Sequence, residues 1–245
     1  MKILLTNDDG INAEGIAALY TALSRKHSVY MFAPDGERSA CSNALTLRDS
    51  IRVDRIDENR YAVYGYPADC VNVGLHSPFV GKVDLVVSGI NHGPNLADDI
   101  YYSGTVAGAR TAYIFGVSGL AVSLNSCSDR SHFGDCADFV AGFIEESGLL
   151  KRDIPSFINI NYPPIDKNKI AGLRYTSLGK RHYIDEYKIE RSEGSSIYMR
   201  LDGTISSENR PMSDVTEIER GYITVTPLTL DTTDYSLLEA YKAEA

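Results

Sequence analysis

The chain has 245 residues, 43% of them apolar and 23% charged, which suits a soluble globular protein built as one large α/β domain or two small ones. Its 24 basic and 33 acidic side chains give a net charge of −9, which argues against binding a nucleic-acid polymer, since that needs a basic face to neutralise phosphates. No run approaches the roughly 18 apolar residues of a membrane span, the start has no signal-peptide core, and Cys41, Cys70, Cys127 and Cys136 form no C-x-x-C pair, so free thiols and a cytoplasmic location are expected.

The first ten residues read MKILLTNDDG. Ile3, Leu4 and Leu5 form a continuous apolar run, as expected of a central parallel strand covered by helices on both faces. Asp8 and Asp9 follow at its carboxyl end, where open α/β sheets place their ligands, and Gly10 lets the backbone turn away. Two adjacent carboxylates repel. Either both lie in water on a surface turn, or a hard divalent cation such as Mg²⁺, Mn²⁺ or Ca²⁺ compensates them.

Ile16, Leu19, Tyr20 and Leu23 fall at helical spacing within a helix expected over 13–26, and Val29 to Ala33 reads as a second strand. The resulting β-α-β unit implies a right-handed crossover and a parallel pair. Pro34-Asp35-Gly36 closes that strand, which puts Glu37 to Ala40 on the rim of Asp8 and Asp9. Ser39 is then a turn or cap serine, or a group that reaches the carboxylates. Leu45 to Val53 and Tyr61 to Tyr64 read as an antiparallel excursion around an Asp57-Glu58-Asn59 turn. Pro67 opens a helix with Cys70, Val71, Gly74 and Leu75 on one side.

Asp84 to Val87 is the next buried strand, and it runs into Ser88-Gly89-Ile90-Asn91-His92-Gly93-Pro94-Asn95. That stretch reads as a rigid polar loop on the same rim, or as a Gly/Pro loop with capping asparagines. Ser103 is a good N-cap for a helix reaching about Phe115, with Gly104 and Thr105 presenting free backbone N–H groups. Such an end is a ready phosphate site as well as a well-capped helix.

Val117 to Leu124 reads as a strand, Cys136 to Leu150 as a helix and Ser156 to Asn161 as a strand, so the β-α alternation predicts a doubly wound, mostly parallel sheet. From Gly172 to Leu201 the pattern turns Tyr- and Arg-rich, with Tyr183, Tyr187, Ile189, Ile197, Met199 and Leu201 in alternating segments. A hairpin arm fits, and an arm with little core of its own packs on something else, a sister subunit being the obvious partner. Tyr222 to Leu228 returns as a strand and Tyr235 to Lys242 closes as a helix. No G-x-G-x-x-G follows the first strand, and P-loop, G-x-S-x-G and H-E-x-x-H patterns are missing, which disfavours dinucleotide, P-loop, serine-esterase and zincin chemistry. Of the five histidines only His92 lies in a candidate loop.

Asn7-Asp8-Asp9-Gly10, ERSA at Glu37 to Ala40, GYPADCV at Gly65 to Val71, SGIN-x-GPN at Ser88 to Asn95, YSGTV at Tyr102 to Val106 and GYITVTPL from Gly221 together resemble the SurE survival protein family, nearly end to end and in order. The resemblance implies a three-layer, Rossmann-like domain over 1–245, with a catalytic core at 1–165, a projecting hairpin region at 166–220 and a returning strand and C-terminal helix at 221–245. It implies a metal-dependent phosphatase of nucleoside 5′- and 3′-monophosphates, in some members acting on short-chain polyphosphate. One divalent ion, Mg²⁺ or Mn²⁺, would be held by Asp8, Asp9, Ser39 and Asn95, all hard oxygen donors. Ser103, Gly104 and Thr105 would cradle the phosphate, Asn91 would add a hydrogen bond, and Asp8 or Asp9 would serve as base or nucleophile. A homodimer or homotetramer built through the hairpin and an exchanged C-terminal helix is also implied. The chain departs from the family pattern at Thr111 and Ala112, where an acidic residue and a glycine are usual; this bears on helix packing. A receiver-like Mg²⁺-binding signalling module is the alternative for an Asp pair after a first strand, but the third Asp and the Lys such a domain needs have no counterpart at Pro34-Asp35, Ser88-Gly89 or Ser123-Leu124.

Overall fold

In the computed structural model, which describes residues 1–148 and 153–244, β1 (Lys2–Thr6) is buried on both faces: Ile3 and Leu5 enter one apolar cluster and Leu4 another. Alternation along a strand sends successive side chains to opposite faces, so this run needs a helix layer on each side. Helices α1 (Glu14–Leu23) and α4 (Phe133–Glu146) supply one layer through Ile16, Leu19, Val140 and Ile144, and α2 (Pro67–His76) and α3 (Gly104–Ile114) supply the other through Cys70, Val71, Val106 and Ala109.

In spatial order the nine-stranded sheet runs β3 (Val53–Arg55), β4 (Arg60–Val63), β2 (Ser28–Pro34), β1, β5 (Leu85–His92), β6 (Ser118–Leu124), β7 (Phe157–Tyr162), β11 (Tyr222–Leu228) and β8 (Gly172–Tyr175). Pairing is parallel except at β3–β4 and β7–β11. This is the expected doubly wound, three-layer α/β fold. The chain winds one way from β1 through β2 and the other way from β5 through β6, so a crevice opens at the carboxyl ends of β1 and β5. No helix among the described residues is long and apolar enough to cross a membrane.

Four expectations change. The strand expected over Leu45 to Val53 is a loop until Val53, because this stretch finds no strand neighbour; Thr46 is instead tied through its amide and hydroxyl to the Asp69 carboxylate at 2.9 Å each. Strand β5 continues beyond Ser88 to His92 with a register shift against β6 between Ser88 and Asn91, so Asn91 and His92 belong to a strand end rather than a loop. The helix expected from Cys136 starts at Phe133 and runs to Glu146, and its expected end at Leu150 lies outside the described residues. The projecting region is narrower than 166–220: β8 pairs with β11 in the main sheet, and α5 (Asp214–Glu219) buries Val215 and Ile218 against Leu96 and Ala97. Among the described residues, only β9 (Arg181–Glu193) and β10 (Ser196–Ser207) form a separate antiparallel ribbon. The last helix, α6 (Tyr235–Glu244), is exposed along its length.

Candidate active site

The turn after β1 is fixed by its own side chains. Asn7 Nδ2 donates to the Gly10 carbonyl at 2.9 Å and the Gly10 amide donates to Asn7 Oδ1 at 3.2 Å. Gly10 has φ +100°, and a Cβ there would lie 3.1 Å from the backbone of Gly36, so only glycine closes this turn against the loop after β2. Asp8 is thereby buried at 4% exposure and Asp9 half-buried, side by side at the sheet's carboxyl edge.

Two donors from the first turn of α3 meet Asp8. The Thr105 hydroxyl donates to Asp8 Oδ1, and the Thr105 amide faces the same carboxylate. Burial nevertheless pushes the Asp8 carboxyl up to about 6; the Thr105 hydrogen bond opposes this and the charge of Asp9 adds to it. Asp9 is raised as well, first by burial and further by Glu37, against hydrogen bonding from the His92 backbone.

Asn95 is held by three partners: its amide donates to Asn161 Oδ1 at 2.9 Å, its carbonyl accepts from Asn159 and Asn161 at 2.8 and 3.0 Å, and its Nδ2 donates to Ser123 Oγ at 2.8 Å. Its Oδ1 accepts no hydrogen bond among the described residues. The Ser39 hydroxyl gives its proton to Glu37 Oε1 at 2.7 Å, which leaves lone pairs on the Ser39 oxygen. Two carboxylates, one amide carbonyl and one hydroxyl thus converge on a cleft of about 1100 Å³. Among the described residues there is no cluster of three or more His, Cys, Asp or Glu suited to a metal, which leaves the mixed set of two carboxylates with two neutral oxygens as the donor group to consider. That set fits Mg²⁺ or Mn²⁺, because every donor is a hard oxygen and burial leaves both carboxyls raised, so a bound cation would stabilise their charged forms. Among the described residues, Arg130 is the only Lys or Arg lining the cleft.

The expected site residues separate into two groups. Asp8, Asp9, Ser39, Asn91, Asn95 and Ser103 line the cleft. Gly104 and Thr105 sit behind Ser103: Thr105 is fully buried on Asp8, and a Cβ on Gly104 would come 2.7 Å from Cys41 Sγ and 2.8 Å from Asp8 Cβ. Of the expected phosphate cradle, Ser103 borders the cleft while itself largely buried, and Gly104 and Thr105 pack against Asp8. Asn91 spends one amide hydrogen on the Gly93 carbonyl at 2.9 Å.

A sequence profile described as Survival protein SurE matches residues 3–185. The chain belongs to the SurE family. A SurE relative from Leptospira interrogans, named 5′-nucleotidase SurE, is 45% identical over 240 residues, covering 97% of this chain and 95% of its own; one from Geotalea uraniireducens with the same name is 43% identical, covering 99% and 98%. The crystal structure of the SurE protein from Aquifex aeolicus superposes with a TM-score of 0.85 at 33% identity, covering 100% of this chain and 99% of that one.

Several residues around this cleft escape a reading of the sequence. Asn159 and Asn161, which fix Asn95, do carry a signal: they are polar residues alternating with apolar ones inside a fully buried strand, FININY. Asp99 carries no comparable local mark. It lines the cleft, pairs with Arg181 and accepts from the Tyr183 hydroxyl, both more than 80 positions away, and short-range pattern cannot find such partners.

Proposed function

We propose that this chain is a divalent-metal-dependent phosphomonoesterase that hydrolyses nucleoside 5′- and 3′-monophosphates to nucleoside and phosphate, with short-chain polyphosphate as a further substrate class. The relatives' shared name, 5′-nucleotidase, supports the 5′ reading. The observation that carries the chemistry is the contact of Thr105 with Asp8, which joins a set of hard oxygen donors to a helix N-terminus within one cleft.

Asp8, Asp9, Ser39 and Asn95 would hold one Mg²⁺ or Mn²⁺. When bound, such an ion neutralises the carboxylates, polarises a phosphoryl group and activates water. The rest falls to the chain. Ser103 Oγ caps α3 by accepting from the Val106 amide at 3.0 Å, so its proton is free to bind a phosphate oxygen at the positive end of the helix. Asn91 keeps a second amide hydrogen for the same group. These donors would stabilise the negative charge spread over the equatorial oxygens during phosphoryl transfer. Thr105 occupies one oxygen of Asp8, leaving Asp9 the better placed carboxylate to take a proton from attacking water, or to attack phosphorus itself, as the P–O bond to the nucleoside breaks and the nucleoside oxygen leaves to take up a proton.

The assembly we infer is a homodimer or homotetramer. One face of the β9–β10 ribbon presents Tyr187, Ile189 and Met199 outside the cleft, each more than half exposed, and α6 exposes Leu237, Leu238 and Tyr241. A cytoplasmic location accords with four free cysteines.

Purine and pyrimidine 5′- and 3′-monophosphates and tripolyphosphate, assayed side by side, test the substrate class. Nucleotide kcat/KM values within about two powers of ten of each other are expected, since the polar groups read phosphate. No cleavage of any nucleotide would contradict the proposal.

A further inference from the structure

We propose that the cleft-facing side of the arm, at Tyr183, Asp185 and Leu201, takes the nucleoside end of a substrate whose phosphate lies at Ser103. The inference rests on the nucleotidase reading and adds where the rest of the substrate goes. These three arm residues line the same cleft as Asp8, Asp9 and Ser103.

Their position is set from the phosphate end. The Tyr183 hydroxyl donates to the Asp99 carboxylate, which also pairs with the largely buried Arg181. The Asp99 carbonyl accepts from the Ser103 amide at 3.1 Å. One residue therefore links the foot of the arm to the cap of α3, and the Tyr183 ring stands next to the phosphate-binding end by construction. Asp185 is two positions further along the same strand face, about 7 Å away. Directly across the ribbon from Asp185 is Gly203, which has no side chain, and Leu201 follows on that strand, paired with Tyr187. The cleft face of the arm thus reads aromatic ring, carboxylate beside a gap, aliphatic side chain.

The Asp185 side chain has no hydrogen bond or ion pair among the described residues, whereas charges on the opposite face of the ribbon are paired, Lys188 with Asp202 and Arg200 with Glu190. A carboxylate in this cleft repels phosphate. It suits neutral donors, and the adjacent hydroxyls of a ribose are such donors, matched to two acceptor oxygens. Tyr183 and Leu201 offer a flat and an apolar surface without a hydrogen-bond pattern, so a base would be held with little selectivity.

The test uses the full-length protein with Mg²⁺ and NMR titration of three probes: adenosine, 2′,3′-dideoxyadenosine and inorganic phosphate. In Asp185→Ala the Kd for adenosine should rise at least tenfold, the preference for adenosine over the dideoxy compound should collapse toward one, and the phosphate Kd should move less than twofold. Leu201→Ser should weaken both nucleosides alike, at least threefold. Adenosine binding within twofold of wild type in both variants would overturn the proposal, as would equal weakening of adenosine and phosphate, which marks a structural loss of the cleft. Hydrolysis of AMP by the wild-type chain reports separately on the nucleotidase reading: turnover with no effect of either variant on adenosine would leave that reading standing and remove this one.

Discussion

The Thr105 hydroxyl donates a hydrogen bond to the Asp8 carboxylate across 97 positions of sequence, tying the first turn of α3 to the end of β1. Because both groups are buried, neither has water as a substitute partner. The bond joins the edge proposed to hold the metal to the helix end proposed to hold phosphate.

Thr105→Val keeps the side-chain shape and removes the donor. Asp8 should then hold its proton to higher pH still, and kcat/KM should fall ten- to a hundredfold, about 1.4 to 3 kcal/mol of transition-state stabilisation. Thr105→Ser, which keeps the hydroxyl, should lose far less. Steady-state kinetics with a Mn²⁺ titration of both variants checks this.

Asp8→Asn and Asp9→Asn each remove one anionic donor without changing volume. Turnover should fall by several powers of ten, while the metal-free protein keeps or gains thermal stability, because burial disfavours both charges. Calorimetry beside an activity assay reads both effects.

The pH dependence of the metal-free protein has a definite sign. The Asp8 carboxyl is raised from 3.8 to about 6 in the folded chain, so its contribution is full below about pH 4 and is lost as pH rises through 6, by up to about 3 kcal/mol. Asp9 acts in the same direction. Melting curves from pH 4 to 7 should show wild type losing ground against Asp8→Asn as pH rises, with Mn²⁺ reversing the difference near pH 7.

Local pattern carried much of this molecule. The run Ile3 to Leu5, the Ser103 cap and the strand Tyr222 to Leu228 lie where apolar runs and capping chemistry put them. So do the cleft positions of Asp8, Asp9, Ser39 and Asn95, because strand ends in a doubly wound sheet share one rim. What failed was set by distant partners. Leu45 to Arg52 has strand-like residues but no neighbouring strand, Thr105 turns inward because Asp8 is there to meet it, and β8 joins β11 rather than the arm. Asp99 acquires its role only when Arg181 and Tyr183 fold over it.

Deleting the ribbon between Tyr183 and Met199 should abolish the proposed assembly, since the apolar face it exposes has no cover among the described residues. Light scattering should find the intact chain as a dimer or tetramer and the shortened one as monomer or aggregate. A stable intact monomer at micromolar concentration would remove this part of the account.

The most direct measurement is hydrolysis of AMP by purified protein stripped with a chelator and then reconstituted. Activity should vanish in the stripped protein and return with one equivalent of Mn²⁺ or Mg²⁺ per chain, and Asp8→Asn should fail to recover it. Full turnover in demonstrably metal-free protein would contradict the assignment of Asp8, Asp9, Ser39 and Asn95 as a metal site.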